Sequence, residues 1–250
     1  MNELLIFEVG SSFGHFRKPF TSTNSLTHAV IPRSAVEGLV GAILGLKSDE
    51  YPEKLQESKI AVEILSPVQK YHMKINYVHE DWWHLADSYL LNKPTERTVS
   101  GYHTPTNTEY LVNPKYRIYF SNSDLNSELE NFLENQQSVY TPYLGKSSMI
   151  AWINYIGKFN YEKDSSDDYV NVSSIIPYTD NLPNIKTSSN TRFGLEEGLT
   201  LHITKDRISQ GTYNAVISEN LTDIPVKGVE INKITMNGNS PNIVFLPIRV

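Results

Sequence analysis

The chain has 250 residues, of which 39% are hydrophobic and 20% charged, and it carries a formal net charge of −6 and no cysteine. These proportions are typical of folded globular proteins, and the missing cysteines exclude disulfides, thiolate metal sites and a cysteine nucleophile. The acidic amino-terminal segment lacks the basic start of a signal peptide, and no apolar run reaches the roughly 18 residues that span a bilayer. We therefore expect a cytoplasmic protein.

The acidic net charge argues against a freestanding nucleic-acid-binding domain, because such domains are usually basic. The charges are unevenly distributed, however, and five stretches contain lysine or arginine without any acidic residue: 9–36, 64–79, 110–123, 135–161 and 181–195. The bases of these acid-free stretches either converge on one positive groove or lie on solvated faces by chance. Charge spacing alone leaves both alternatives open.

The amino-terminal residues predict a strand, a loop and a helix in that order. An apolar run over residues 4–9 predicts a buried strand, and the Gly-, Ser- and Thr-rich residues 10–27 predict an irregular extended segment. A helix follows, because Ser34 and Glu37 have the spacing of a capping box and Gly45 is placed to end the helix.

The central part of the chain combines further strands with one helix. Strands are predicted at residues 59–65, 68–78, 109–120 and 149–159, and an amphipathic helix at 124–135. Residues 80–105, which include two adjacent tryptophans, do not fit this pattern and indicate an insertion. The order strand, helix, strand, strand, helix, strand is the βαββαβ arrangement of ferredoxin-like and RNA-recognition folds.

The carboxy-terminal part predicts only short strands between turn residues. A polar, flexible join is predicted at 162–168, and strands at 169–176, 199–204, 213–217, 225–234 and 243–250. We therefore predict an α+β fold with two domains. Residues 1–161 form a ferredoxin-like, RRM-like domain with an inserted arm at about 80–106, and residues 162–250 form a small β-rich domain.

Motifs of common catalytic and cofactor sites are absent or incomplete. The run Gly145-Lys146-Ser147 is similar to the end of a phosphate-binding loop, but Tyr140 stands where that motif requires glycine. The seven histidines lack paired metal-ligand spacing, and the sequence has neither a Gly-x-Ser-x-Gly elbow nor an aromatic RNP1 signature. We therefore expect no metal, no cofactor and no standard base-stacking sheet.

Metal-free cleavage of RNA needs only a general base near the 2′-hydroxyl and a cation for the developing charge. His15, Tyr102 and His103, with nearby lysines, supply groups of these types. The alternative is that Tyr102 and His103 belong to the polar arm of the insertion and have no catalytic role.

Three sets of residues carry a resemblance to a known protein family. The first is the amino-terminal signature at 13–21 (FGHFRKPFT), 31–34 (IPRS) and 38–46 (GLVGAILGL). The second is 107–111 (NTEYL) with 113–118 (NPKYRI), and the third is the loop 142–147 (PYLGKS). These sets resemble motifs of the CRISPR-associated protein 5 family, and most closely its type I-B branch. The first set is specific, and the resemblance extends from the first strand to about Lys158.

The resemblance implies a ferredoxin-like domain of the repeat-associated RNA-binding (RAMP) superfamily together with a small β domain. It implies a place in a Cascade surveillance complex of antiviral defence, where the family binds the 5′ handle of the guide RNA (crRNA). The partners implied are the backbone subunit, the large subunit and, indirectly, target DNA. Type I-C members also cut the precursor RNA, whereas type I-B systems use a separate endonuclease, so we expect binding without catalysis.

The acid-free stretches coincide with the family motifs, which favours the positive groove. We expect phosphate contacts from Arg17, Lys18 and Arg33, with Lys115, Arg117 and Lys146 lining the same groove. His15 and Phe16 are candidates for base contact or stacking. Further RNA-binding candidates are Thr21, Lys70, Lys74 and Ser147. Two alternatives stay open, namely the processing endoribonuclease of its system and a purely structural bridge between subunits.

Overall fold

The computed structural model describes residues 3–21, 24–78, 103–164, 168–187, 192–236, 238 and 240–248. Within them lie three helices, α1 (Arg33–Leu44), α2 (Tyr51–Leu55) and α3 (Asn126–Glu134). The first eight strands are β1 (Glu3–Gly10), β2 (Phe13–Gly14), β3 (Asn24–Ser25), β4 (Lys59–Ile64), β5 (Lys70–Val78), β6 (His103–Val112), β7 (Lys115–Ser121) and β8 (Trp152–Asp164). The others are β9 (Val170–Val172), β10 (Ile176–Tyr178), β11 (Asn184–Ile185), β12 (Phe193–Ile203), β13 (Ser209–Ser218), β14 (Ile224–Lys227), β15 (Ile231–Thr235) and β16 (Asn242–Ile243).

A six-stranded sheet in the order β16-β15-β8-β1-β7-β4 holds the main core, and its neighbouring strands are antiparallel. Strand β1 lies between β8 and β7 near the middle of this sheet, and seven of its eight residues are therefore buried. Leu5, Phe7 and Val9 belong to the core cluster that includes α1 and α3, whereas Leu4 and Ile6 pack on the opposite face. The mixed α+β class predicted from the sequence is confirmed, with strands far outnumbering helices in the described residues.

Helix α1 begins two residues earlier than the predicted capping box requires. Pro32 is the cap residue with an extended backbone, and no side chain caps the helix. Glu37 instead pairs with Arg33 one turn before it, so the predicted capping box is wrong. The predicted end is confirmed, because Gly45 has φ 72° and its backbone N–H closes the last turn on Ala42 and Gly41 carbonyls.

Strands β5 and β6 form a long antiparallel pair, the β5–β6 hairpin, in which residues 70–78 pair with residues 103–111. Residues 79–102, which contain most of the predicted arm at 80–106, lie outside the described residues. The final part of that predicted arm, from His103, forms the start of β6, and the inserted arm itself stays a prediction. The short strands β2 and β3 pair with β6, which attaches the segment after β1 to the hairpin.

The carboxy-terminal strands form two further sheets, in the orders β10-β13-β12 and β11-β14-β9. Strand β8 continues to Asp164 and pairs there with β15, so the predicted flexible join at 162–168 is wrong at its start. Its polar side chains suit a strand because Lys163 points to solvent and pairs with Glu230 at 2.7 Å. Strands β15 and β16 thus extend the central sheet, and the predicted division into two domains at residue 162 stays a prediction.

Candidate nucleic-acid interface

A cleft of about 650 Å³ lies where six parts of the chain meet. They are the segment after β2, strand β3, the start of α1, the end of the β5–β6 hairpin, the loop 142–147 and the end of β12. The polar and charged side chains that line the cleft include His15, Arg17, Asn24, Ser25, His28, Tyr77, Thr106 and Lys146. Among the described residues that line it there is no aspartate or glutamate, although the whole chain has a net charge of −6.

Gly145 sets the position of the loop 142–147 against His15. The backbone N–H of His15 donates to the Leu144 carbonyl at 3.1 Å. A β-carbon on Gly145 would lie 1.8 Å from the carbonyl oxygen of His15, and φ of Gly145 is 90°. Only glycine fits both conditions, so the glycine of this motif serves close packing. The contact places Lys146 directly beside His15.

Lys146 is held between two tyrosines of the hairpin. Its Nζ donates to the hydroxyl of Tyr77 at 3.2 Å and lies 5.8 Å and 5.2 Å from the ring centroids of Tyr77 and Tyr110. Burial acts to raise the pKa of Tyr77, but the hydrogen bond from Lys146 and other contacts lower it overall. The ammonium group is therefore fixed at the cleft wall by neutral side chains.

His15 is buried, and both of its ring nitrogens have partners. Nδ1 lies 2.7 Å from the backbone carbonyl of Glu109, and Nε2 lies 3.0 Å from the hydroxyl of Ser25. Burial is the largest cause that lowers the pKa of His15, and the positive charges of Lys146 and Arg17 lower it further. The imidazole is therefore neutral near pH 7.

Beside the cleft, the carboxylate of Glu196 on β12 contacts three groups of the segment 17–29, namely the side chains of Lys18 and His28 and the backbone N–H of Ala29. Its Oε1 contacts the ammonium of Lys18 and lies 2.9 Å from Nδ1 of His28, while Oε2 accepts the N–H of Ala29 at 3.0 Å. Burial acts to raise the pKa of Glu196, but the hydrogen bonds from His28 and Lys18 and the N–H of Ala29 lower it to about 2. The ion pair fastens this segment to the carboxy-terminal sheet.

Residues 4–237 match the family described as CRISPR-associated protein (Cas_Cas5). The chain belongs to this family. The resemblance noted in the sequence is thereby confirmed at the level of the family.

The same fold occurs in two solved structures of CRISPR proteins. A chain of a "CRISPR RNA-guided surveillance complex" is 12% identical with a TM-score of 0.52, and the similarity covers 91% of each chain. A CRISPR protein from Archaeoglobus fulgidus is 14% identical with a TM-score of 0.51, covering 96% of this chain and 99% of that one. At these identities the similarity shows the fold, and a comparison with curated proteins found no match.

Two residues predicted to contact RNA are core residues of this CRISPR-associated protein. Arg33 is fully buried, with Nε 3.0 Å from Glu37 and Nη2 donating to the carbonyls of Gln56 and Ser58. Burial lowers its pKa, and the charge of Glu37 opposes that shift. The ring of Phe16 is 4% exposed and packs in the main core. The prediction of Arg33 as a phosphate ligand is therefore wrong, whereas Phe16 lines the cleft and the base contact predicted for it stays a prediction.

Lys115 and Arg117 lie on the sheet face opposite α1, because they alternate along β7 with core residues of the helix side. Lys115 pairs with Glu8 at 2.9 Å, and Arg117 pairs with Glu8 at 2.8 Å and Glu63 at 3.1 Å. Burial acts to raise the pKa of Glu8, but the two cations lower it overall. Neither cation lines the cleft, so the prediction that they share one groove with Lys146 is wrong.

Four other predicted residues, Thr21, Lys70, Lys74 and Ser147, are not among the residues that line the cleft. Lys70 donates to the Thr27 carbonyl at 3.0 Å, and Lys74 is exposed on β5. The hydroxyl of Thr21 donates to the backbone carbonyl of Lys18 at 3.1 Å. Ser147 is exposed beside Lys146.

The cleft also contains residues that the sequence did not mark as candidates, among them Asn24, Ser25, His28, Tyr77 and Thr106. These five lie within or beside the acid-free stretches or the family motifs, whereas Thr200 and Ile203 of β12 lie outside both. Of the proposed catalytic set, Tyr102 lies outside the described residues, and only the backbone of His103 is described. In the described part of the chain no three His, Asp or Glu residues cluster as a metal site would require.

Proposed function

We propose that this protein binds the 5′ handle of a guide RNA in the cleft, as a non-catalytic subunit of a type I CRISPR surveillance complex. The observation that carries the proposal is the composition of the cleft. Arg17 and Lys146 line it and no described carboxylate does, in a chain whose net charge is −6. Phosphate contacts of this kind supply affinity and register without reading sequence.

The neutral groups of the cleft suit single-stranded RNA. The ring of Tyr77 is 41% exposed, which is enough surface for a base to stack on. Asn24, Ser25 and Thr106 offer hydrogen-bonding groups to bases and 2′-hydroxyls. The amino-terminal end of α1 lines the same cleft through Pro32, Ser34 and Ala35, and the helix dipole there favours a phosphate.

Membership of the family supports the wider assembly that we propose. The backbone subunit, the large subunit and indirectly the target DNA are the proposed partners, in a type I-B-like system that acts in antiviral defence. We also propose that the central domain is ferredoxin-like. Its strands β8, β1, β7 and β4 adjoin in that order, and α1 and α3 contribute to one shared core cluster, as a βαββαβ unit requires.

The proposal is tested with purified protein and a repeat-derived RNA that carries the handle. Samples in EDTA are divided between a native gel and a denaturing gel of end-labelled RNA. We expect a shifted native band and intact RNA. Absence of any shift, with a folded protein, would refute RNA binding by this subunit.

Metal-independent cleavage of precursor RNA is a second candidate function, favoured by the neutral imidazole of His15 beside Lys146. Such a pair supplies a general base and a cation for a developing negative charge. Both ring nitrogens of His15 already have partners, which makes binding the better supported function. A discrete cut within the repeat on the denaturing gel, lost in His15→Ala, would establish the nuclease instead.

A further inference from the structure

Ser25 lies deep in the cleft next to the buried imidazole. Strand β3 pairs in parallel with β6, which places Ser25 opposite Thr108. Its side chain is half-buried, lines the cleft and has its Oγ 3.0 Å from Nε2 of His15. The hydroxyl therefore has one fixed protein partner and an open side toward the cleft.

The direction of that hydrogen bond follows from the other nitrogen of His15. A backbone carbonyl can only accept a hydrogen bond, so Nδ1 of His15 donates to the carbonyl of Glu109 at 2.7 Å. In a neutral imidazole the second nitrogen is then an acceptor. Ser25 must donate its only hydroxyl hydrogen to Nε2, and its oxygen presents only lone pairs to the cleft.

We propose that Ser25 and His15 together select ribonucleotides, with the Ser25 oxygen accepting a hydrogen bond from a ribose 2′-hydroxyl. The inference rests on the proposed function and adds a determinant of sugar identity to it. Ser25 makes the contact, and His15 is the positioning residue that fixes the direction of the Ser25 hydroxyl. Deoxyribose has no donor at this position, so DNA leaves the oxygen without a partner.

The position of the cations favours the sugar over a base as the donor. Lys146 and Arg17 are both close enough to His15 to act on its charge state. Phosphates bound by these two cations would place the connecting sugar next to Ser25, because sugar and phosphate are directly linked. Exocyclic amines and ring N–H groups of the bases are the other donors that RNA offers, and binding of modified RNAs separates base donors from the sugar hydroxyl.

The test compares the affinity of the full chain for handle RNA, for the same RNA with 2′-fluoro sugars, and for RNAs with base analogues that lack either the exocyclic amines or the ring N–H donors. Fluorine removes the donor and keeps a ribose-like sugar shape. Loss of one such hydrogen bond corresponds to about fivefold weaker binding. We expect this loss with 2′-fluoro RNA and none with the base analogues. Ser25→Ala should remove the difference, whereas Ser25→Thr, which keeps the hydroxyl, should retain it.

Ser123→Ala is the matched control, because Ser123 is exposed and its hydroxyl donates to Asp124 away from the cleft. Equal binding of ribose and 2′-fluoro RNA by the wild-type protein would overturn the inference and leave RNA binding intact. A loss seen with the base analogues alone, or equal weakening of both RNAs by Ser25→Ala, would also overturn it. Failure of every RNA to bind would refute the proposed function itself.

Discussion

The α-carbon of Gly145 lies against the backbone carbonyl oxygen of His15, where a β-carbon would come within 1.8 Å of that oxygen. The contact holds Lys146 at the cleft wall, so the same glycine serves packing and the proposed binding. A second glycine allows the steric effect to be isolated. Gly228 has φ 80°, near the 90° of Gly145, but a β-carbon added to Gly228 would meet nothing within 4 Å.

Gly145→Ala should therefore cost more stability than Gly228→Ala. Both variants place alanine in the left-handed region, which costs about 1–2 kcal/mol, and only Gly145→Ala adds a backbone clash. We also expect Gly145→Ala to weaken RNA binding, because the loop with Lys146 must shift. Urea unfolding and RNA titration measure the two effects. Equal losses of stability in the two variants would contradict the packing described.

The carboxylate of Glu196 should contribute stability that depends on pH. Its pKa is about 2 in the folded chain against an ordinary 4.5, so the contribution is complete above pH 4.5 and is lost as the pH falls toward 2. The shift corresponds to about 3 kcal/mol. The free energy of unfolding of wild type should exceed that of Glu196→Gln by a large amount at pH 7. This difference should shrink as the pH falls toward 2.

Glu53→Gln is the matched control for that measurement, since Glu53 is 66% exposed in its pair with Lys205. Its stability difference from wild type should stay small at every pH, because exposed pairs contribute about 1 kcal/mol or less. A constant difference between wild type and Glu196→Gln across the acid range would rule out the proposed linkage.

Arg33 should matter for folding rather than for contact with RNA. Removing its side chain leaves the buried carboxylate of Glu37 with His202 as its one ionisable partner among the described residues, with Nδ1 2.9 Å away. Breaking a buried pair from one side costs about 3–5 kcal/mol, so Arg33→Ala should unfold at much lower urea concentration. Arg192→Ala, at an exposed arginine, should change stability by about 0.5 kcal/mol or less. Normal stability of Arg33→Ala with weakened RNA binding would show that Arg33 does contact RNA.

Local patterns predicted the elements of the central sheet well because strand β1 is a continuous apolar run and the two longer helices have clear apolar periodicity. They failed at Arg33, because a basic residue inside a family motif is equally consistent with a surface ligand and a buried ion pair. Only the contacts of Arg33 with Glu37 and the carbonyls of Gln56 and Ser58 decide between them.

The cleft itself depends on contacts between distant parts of the chain. Ser25 reaches His15 through the pairing of β3 with β6, some eighty residues further along the chain. Lys146 meets Tyr77 across sixty-nine positions. No local pattern encodes such contacts, so the sequence indicated the acid-free stretches and the family motifs but not which side chains share one surface. Lys115 and Arg117 were misplaced for the same reason.

The salt dependence of RNA binding by charge variants tests the central claim most directly. Titrations of wild type, Arg17→Ala, Lys146→Ala and the control Lys163→Ala, at an exposed lysine paired with Glu230, over a range of salt concentrations give the slope of log affinity against log salt. Each lost phosphate contact on single-stranded RNA should reduce the slope by about 0.7. We predict that reduction for Arg17→Ala and Lys146→Ala and an unchanged slope for Lys163→Ala. Wild-type slopes in both cleft variants would contradict the assignment of this cleft to RNA.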